Sequence, residues 1–287
     1  MAEPELSVFM PARNERPTIS QNIRVLRNAL EKGRINHAVV VVDGSTDGTR
    51  EIVFREVGLN AEQMKRIAAK KRATVVLENG IILINHSEPE GKGRCFMEAV
   101  FTLNGRTPHF KSPRSVLVNI DADALDLSSE KITGLAKELR KKGEPMLLGT
   151  HMEKSKTAKY PIPAGRSSTG FRAISARALK PMLKMEEKWV RVLPRRFGMD
   201  YALNLLVYRG SRWSTKPAES GKKSIREWPV PMSGIDLSHS QPGKHTSEVE
   251  QNLQRQEVGR RYRGEKTTND SPHELAFREK FARRRVK

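Results

Sequence analysis

A single cysteine, Cys95, stands among 287 residues. That excludes a disulfide framework and any cysteine-rich zinc site, and it suits a reducing compartment. Aromatic residues are 6% of the chain, and those near its end, Tyr262, Phe277 and Phe281, are too sparse for a base-stacking platform. No apolar run approaches the roughly 20 residues that span a bilayer. The longest, 38–42 and 81–84, are strand-sized. The first residues carry Glu3, Pro4 and Glu5 instead of a basic segment leading into an apolar one, so no secretory signal is expected and a cytoplasmic location is. Acidic residues are the scarcer charge, 33 against 53 Lys and Arg, for a net charge of +20. The expected partner is therefore anionic: nucleic acid, an acidic membrane surface or a phosphorylated small molecule.

What is present is enough to fold, with 37% hydrophobic and 30% charged residues. An apolar run at 6–12 is followed by Pro17 and then by Ile19, Ile23, Leu26 and Leu30 at helical spacing, which reads as strand, loop, helix. The same sequence of elements recurs at 37–42 and 51–57. Runs 73–77 and 81–85 flank Asn79-Gly80 and read as a hairpin. Gly91-Lys92-Gly93 opens a helical stretch through Leu103, a strand at 115–120 ends on Asp121-Ala122-Asp123, and helix 128–142 and strand 145–149 follow. Strands alternating with helices imply an α/β fold, a mostly parallel sheet with helices on both faces, binding its ligand at the carboxyl ends of its strands. The later chain reads as a glycine-rich loop at 163–170, helices at 173–185 and 199–208, a loop at 211–223 and a strand near 224–230. Residues 251–287 hold eleven Lys and Arg against five Asp and Glu, read as a helix at 248–262 and a loose basic tail.

Three strand ends carry acid or a polar turn: Pro11-Ala12-Arg13-Asn14-Glu15, Asp43-Gly44-Ser45 and Asp121-Ala122-Asp123. In a parallel sheet such ends converge on one edge. Two carboxylates at i and i+2 can meet a divalent cation and a sugar hydroxyl, and hard oxygen ligands suit Mg²⁺ or Mn²⁺. Gly91-Lys92-Gly93-Arg94 at a helix start favours an anion such as a diphosphate. Neither a P-loop nor a Gly-x-Gly-x-x-Gly turn is present, which argues against P-loop NTPases and Rossmann dehydrogenases.

These motifs, together with Thr169-Gly170-Phe171-Arg172, give a chain that resembles the GT-A family 2 glycosyltransferases and the related retaining glucosyl-3-phosphoglycerate synthases over residues 7–245. The resemblance implies a GT-A fold over 1–245, with a nucleotide-sugar-binding half at 1–125 and an acceptor-binding half at 126–245, followed by a basic helix and tail at 246–287. It implies that Pro11, Ala12 and Glu15 line the base and ribose, that Asp43 accepts from the base edge and that Lys92 neutralises the diphosphate. Asp121 would face the donor's ribose or sugar and Asp123 would bind Mg²⁺ or Mn²⁺, with His239 completing the metal site and His245 as its competitor. Asp200, opening a helix, would face the acceptor and act as general base if the enzyme inverts. The paired acids usual before Gly-Ser are here Val42-Asp43, which leaves one carboxylate at that strand end.

The expected activity is thus metal-dependent transfer of a sugar from a nucleoside-diphosphate sugar to a hydroxyl or phosphate, in cell-envelope, glycolipid or polysaccharide synthesis. Alternatives are transfer to a small phosphorylated acceptor, as in the glucosyl-3-phosphoglycerate synthases, and a non-enzymatic basic protein that binds nucleic acid. A sugar-nucleotide pyrophosphorylase would carry glycines after the first strand, which Pro11 to Glu15 lack. The surplus charge is read first as that of a solvated basic tail, next as peripheral contact of the tail with an anionic membrane at its inner face, and last as contact with nucleic acid.

Overall fold

Strand β1 (Leu6–Ala12) and helix α1 (Ile19–Glu31) set the pattern that the first half repeats. Successive side chains of a strand point to opposite faces, so Val8 and Met10 enter one core and Phe9 the other. Helix α1 covers the first face with Ile19, Ile23, Leu26 and Ala29, at the spacing the sequence shows. The computed structural model describes residues 3–153, 162–164, 170–184, 199–210 and 232–236.

The chain continues through β2 (His37–Asp43), α2 (Thr49–Glu56), α3 (Ala61–Ala68), β3 (Arg72–Val76), β4 (Ile81–His86) and α4 (Lys92–Arg106). Then come β5 (Val116–Asn119), α5 (Ser129–Lys142), β6 (Met146–Glu153), β7 (Ile162–Ala164), β8 (Arg172–Ser175), α6 (Ala176–Leu183), α7 (Met199–Gly210) and β9 (Met232–Asp236). The strands order as β3-β4-β2-β1-β5-β8-β6-β7, with β9 on β6. Strands β4, β2, β1 and β5 are parallel, as expected from the alternating elements. The flanks are not: β3 turns back on β4, and β8 runs antiparallel to both β5 and β6. The sheet is therefore mixed around a parallel centre.

Helices α1, α2, α3 and α5 cover one face, and α4, α6 and α7 the other. Strand β5, from the first half of the sequence, pairs with β8, from the second, and each core draws side chains from both halves.

Three readings need correction. The stretch at 173–185 is not helical throughout: 172–175 form β8, because Ala173 and Ile174 fill opposite cores and close the sheet against β5. Residues 163–164, expected in a loop, pair with Met152 and His151 as part of β7. Helix α3 was not foreseen, although Asn60 and Gln63 form a reciprocal capping box at its start. The late strand lies at Met232–Asp236, and the expected strand at 224–230 is outside the described residues, as are the loop at 211–223 and everything from 237 onward.

Candidate functional site

Because β4, β2, β1 and β5 are parallel, their carboxyl ends at His86, Asp43, Ala12 and Asn119 share one edge. The turns after β1 and β2 are knitted together there. Asn14 takes a left-handed backbone conformation, φ 57°, which asparagine tolerates. Its Oδ1 accepts the Thr46 amide at 2.9 Å, while Glu15 N–H donates to Thr49 Oγ1 at 2.8 Å and Arg16 N–H to Asp47 Oδ2 at 3.1 Å. Pro11, Ala12 and Glu15 thus stand beside the Gly44–Thr49 turn.

The loop after β5 carries Asp121 and Asp123 and is held from below by α1. Thr18 Oγ1 donates to the Ala122 carbonyl at 2.8 Å, and Asn22 Nδ2 donates to the carbonyls of Ala122 and Ala124, both at 2.9 Å. Asn22 is fully buried, on the same stripe as Ile19, Ile23 and Leu26. A polar residue on an apolar stripe was the available signal for it, and sequence reading passed over it. Asn119 Nδ2 donates to the Gly170 carbonyl and pulls the turn before β8 over Asp121. A Cβ on Gly170 would fall 1.8 Å from Asp121 Oδ2, so only glycine leaves room for that carboxylate.

Helix α4 begins at Lys92 with no side-chain cap and no acid in its first turn, so its amide groups and dipole favour an anion. Lys92 Nζ reaches across to Asp121 Oδ1 at 2.6 Å and Asp200 Oδ2 at 3.4 Å. Burial alone would lower its pKa, but the carboxylates of Asp121 and Asp200 outweigh burial and push it up to about 12. Asp200 opens α7 and is held in turn by Arg172 of β8, whose guanidinium lies 2.8 Å from Asp200 Oδ1, 3.1 Å from the Asp200 carbonyl and 3.3 Å from Asn204 Oδ1. Arg172 is fully buried. Strand ends from both halves of the chain therefore meet in one row of alternating charge: Asp121, Lys92, Asp200, Arg172.

Asp43, expected to accept from a base edge, is engaged by the protein itself. Its carboxylate is buried; Oδ1 accepts the Glu90 amide at 2.7 Å and Oδ2 the Gly91 amide at 2.8 Å, while His86 Nδ1 lies 3.0 Å from Oδ1. Its oxygens face the turn before α4. Gly44, φ 60°, lies so close to that turn that a Cβ would stand 2.4 Å from Pro89 N.

His86 also meets Glu98 Oε2 at 2.6 Å through Nε2, and Glu98 Oε1 takes Arg94 Nε at 2.6 Å. Burial lowers the His86 pKa, but hydrogen bonds to Asp43 and Glu98 dominate and raise it to about 9. Burial raises that of Glu98, but His86 and Arg94 bring it down to about 2. Arg72, Glu90 and the Cys95 thiol, the last pushed up by burial, complete the surroundings. A histidine that holds its proton more tightly when folded stabilises the fold fully below its unfolded value of about 6.5. That contribution is lost as the pH rises through about 9. Urea-unfolding midpoints of the full chain are expected to fall between pH 6.5 and 9, and His86→Gln, which has no proton to lose, should flatten that decline.

Among the expected residues, the structure brings together Lys92, Asp121 and Asp200, with Asp123 half-buried two residues beyond Asp121. Pro11, Ala12 and Glu15 share the same sheet edge. His239, His245 and most of the glycine-rich loop lie outside the described residues. Asn22, His86 and Glu98 are functional candidates that the sequence reading did not assign, and Arg172, quoted there only as the end of the Thr169–Arg172 motif, is now seen to hold Asp200.

A family model described as Glycosyl transferase family 2 matches residues 7–193. No curated protein matches. Among solved structures, the chain is similar to Mycobacterium tuberculosis glucosyl-3-phosphoglycerate synthase in complex with Mn²⁺, UDP and glucosyl-3-phosphoglycerate: TM-score 0.54, 14% identity, covering 92% of this chain and 82% of that one. The same enzyme without named ligands gives a TM-score of 0.55 at 14% identity, with the same coverage. Its complex with Mn²⁺, UDP-glucose and phosphoglyceric acid gives 0.54 at 13% identity, covering 92% of this chain and 81% of that one. The likeness at these identities is one of fold.

Proposed function

Because the chain belongs to glycosyl transferase family 2, we propose that the edge formed by β4, β2, β1 and β5 binds a nucleoside-diphosphate sugar and that the row Asp121, Lys92, Asp200, Arg172 is where the sugar is transferred. The protein is a glycosyltransferase with a GT-A fold. The single observation that carries the assignment of the site is Lys92. It is a cation at an uncapped helix start, reached by one carboxylate from the donor side and one from α7.

The residues present fit a divalent cation. Asp121 and Asp123 offer hard oxygen donors on one turn, and Gly170 keeps a side chain off the Asp121 carboxylate. Asp123 would hold Mg²⁺ or Mn²⁺ directly, Asp121 would face the donor's ribose or sugar, and His239 is the candidate third ligand. When bound, the ion neutralises charge on the departing diphosphate. Lys92 does the same from the other side, as a fixed charge at the start of α4. Pro11, Ala12 and Glu15 would line the base and ribose, with Asp43 fixing the turn behind them instead of touching the base.

As Lys92 turns toward the diphosphate, Asp200 Oδ2 loses its partner at 3.4 Å while Oδ1 stays with Arg172. In an inverting transfer the released oxygen would take the acceptor's proton. Asp200→Asn is expected to lower kcat by about 10²-fold, within the range of a general base, and to leave the donor KM within about twofold. Steady-state kinetics at saturating donor check this. An anionic acceptor suits a chain of net charge +20, and complexes of the related fold hold phosphoglyceric acid. Among the described residues, no helix is long and apolar enough to cross a membrane. Contact of the basic tail with an anionic membrane surface remains part of the proposal.

The test is a thermal-shift panel of UDP-, GDP- and dTDP-sugars with and without Mn²⁺. A donor at about 100 times its dissociation constant adds roughly 2.7 kcal/mol of apparent stability. One nucleotide series should raise the melting temperature only with metal. No shift with any donor, alongside tight salt-sensitive binding to DNA, would move the function to the basic surface.

A further inference from the structure

We propose that His86 is a positioning residue for the diphosphate-binding turn, clamped between Asp43 and Glu98 so that Asp43 can capture two backbone amides and aim Lys92 at the donor. The inference rests on the donor site proposed above. It concerns a buried cluster behind that site, one that the transfer chemistry does not use.

The clamp works through four contacts in series. Glu98 of α4 holds His86 Nε2 at 2.6 Å; His86 Nδ1 lies 3.0 Å from Asp43 Oδ1; Asp43 accepts the amides of Glu90 and Gly91 at 2.7 and 2.8 Å. The next residue is Lys92. Gly91, at φ 93° and ψ 154°, has no side chain with which to cap α4, so no capping side chain fixes where the helix begins. Asp43 supplies that constraint from another strand. A carboxylate free to rotate would hold two amides poorly. A histidine fixed at its far nitrogen by Glu98 keeps Asp43 in one orientation.

A metal centre is the competing reading, since ligand atoms of Asp43, His86 and Cys95 lie within 4.8 Å of one another. Both imidazole nitrogens already face carboxylates, however, and the thiol is buried and held protonated. The imidazole has no lone pair left for an ion while it donates to both acids. The cluster is an ion-paired clamp.

Two variants of the full chain test it: His86→Gln, and Glu98→Gln as the milder change should the first fail to fold. Hydrogen exchange of the Glu90 and Gly91 amides reads the clamp without any ligand. Faster exchange there, with β1 and β2 protected as in the wild type, is expected; unchanged exchange at 90 and 91 overturns the proposal. Calorimetry with UDP or GDP and Mn²⁺ reads its consequence. Each variant should weaken binding about tenfold, the scale of a modest misplacement of a binding group. In a Lys92→Ala background the same substitutions should cost less than about twofold, because the group being aimed is gone. A merely structural loss would persist in full in that background, and that result overturns the proposal. Saturable binding of Zn²⁺ alone, abolished by Cys95→Ser, would overturn it in favour of a metal centre. Absence of nucleotide binding by the wild type would sink the donor-site reading instead, while the exchange result would still decide whether the clamp exists.

Discussion

Asp123→Ala is expected to abolish metal-dependent donor binding and to lower kcat/KM by at least about 10³-fold, since a metal on a departing phosphate is worth several kcal/mol in the transition state. Asp123 is half-buried on a turn whose flanking carbonyls, Ala122 and Ala124, are held by Thr18 and Asn22 from α1. The variant should therefore fold. Calorimetry with the preferred nucleoside diphosphate and Mn²⁺ would show little heat where the wild type binds. Urea unfolding should give a midpoint close to that of the wild type. Retention of metal-dependent binding would take Asp123 out of the metal site and move attention to Asp121. A contrasting variant, Thr18→Val with Asn22→Leu, leaves both aspartates in place and removes the supports. It should weaken binding less than Asp123→Ala and cost more stability, because it frees two buried carbonyls.

Arg172→Leu is expected to destabilise the fold by about 3–5 kcal/mol, the scale for removing one partner of a buried ion pair. The guanidinium is fully buried and touches Asp200 through both the carboxylate and the carbonyl, with Asn204 one turn further along α7. Without it, Asp200 retains only Lys92 among the described residues, 3.4 Å away, and α7 loses these bonds to β8. Donor affinity should fall as well, because Lys92 would be drawn to the uncompensated Asp200. The double variant Arg172→Leu with Asp200→Leu separates the two effects. If the pair serves mainly to position Lys92, replacing both partners recovers part of the stability and none of the activity. Urea denaturation and donor titration on the four proteins of that cycle check it. An Arg172→Leu protein as stable and as active as the wild type would remove Arg172 from the site.

The parallel centre of the sheet was legible in the sequence for a local reason. Strands β2, β4 and β5 are short apolar runs ending on a polar residue, β1 runs directly into Arg13-Asn14-Glu15, and α1 keeps its apolar residues at three-and-four spacing. The residues at those ends, Asp43, Lys92, Asp121 and Asp123, were therefore legible as well. Strand β8 was not. Its four residues run straight into α6, and nothing local marks Ser175 as the boundary except its side chain accepting from Ala178 N–H. What makes 172–175 a strand is the open edge of β5, which is a tertiary fact.

Side-chain tasks divide in the same way. Sequence alone placed acids at the strand ends, a lysine at a helix start and a surplus of positive charge, because composition and hydrophobic period act over a few residues. Only the tertiary structure decided what those acids face. Asp43 and Asp121 look equivalent in the chain, each closing or following an apolar strand. In the fold one is buried against His86 and two amides, and the other meets Lys92 beneath Gly170. The difference comes from residues 29 to 49 positions away, and electrostatic partners at that separation leave no periodic trace in the sequence. Burial and charge pairing are properties of the packed whole, and they turn one strand-end acid into scaffold and leave the other facing the site.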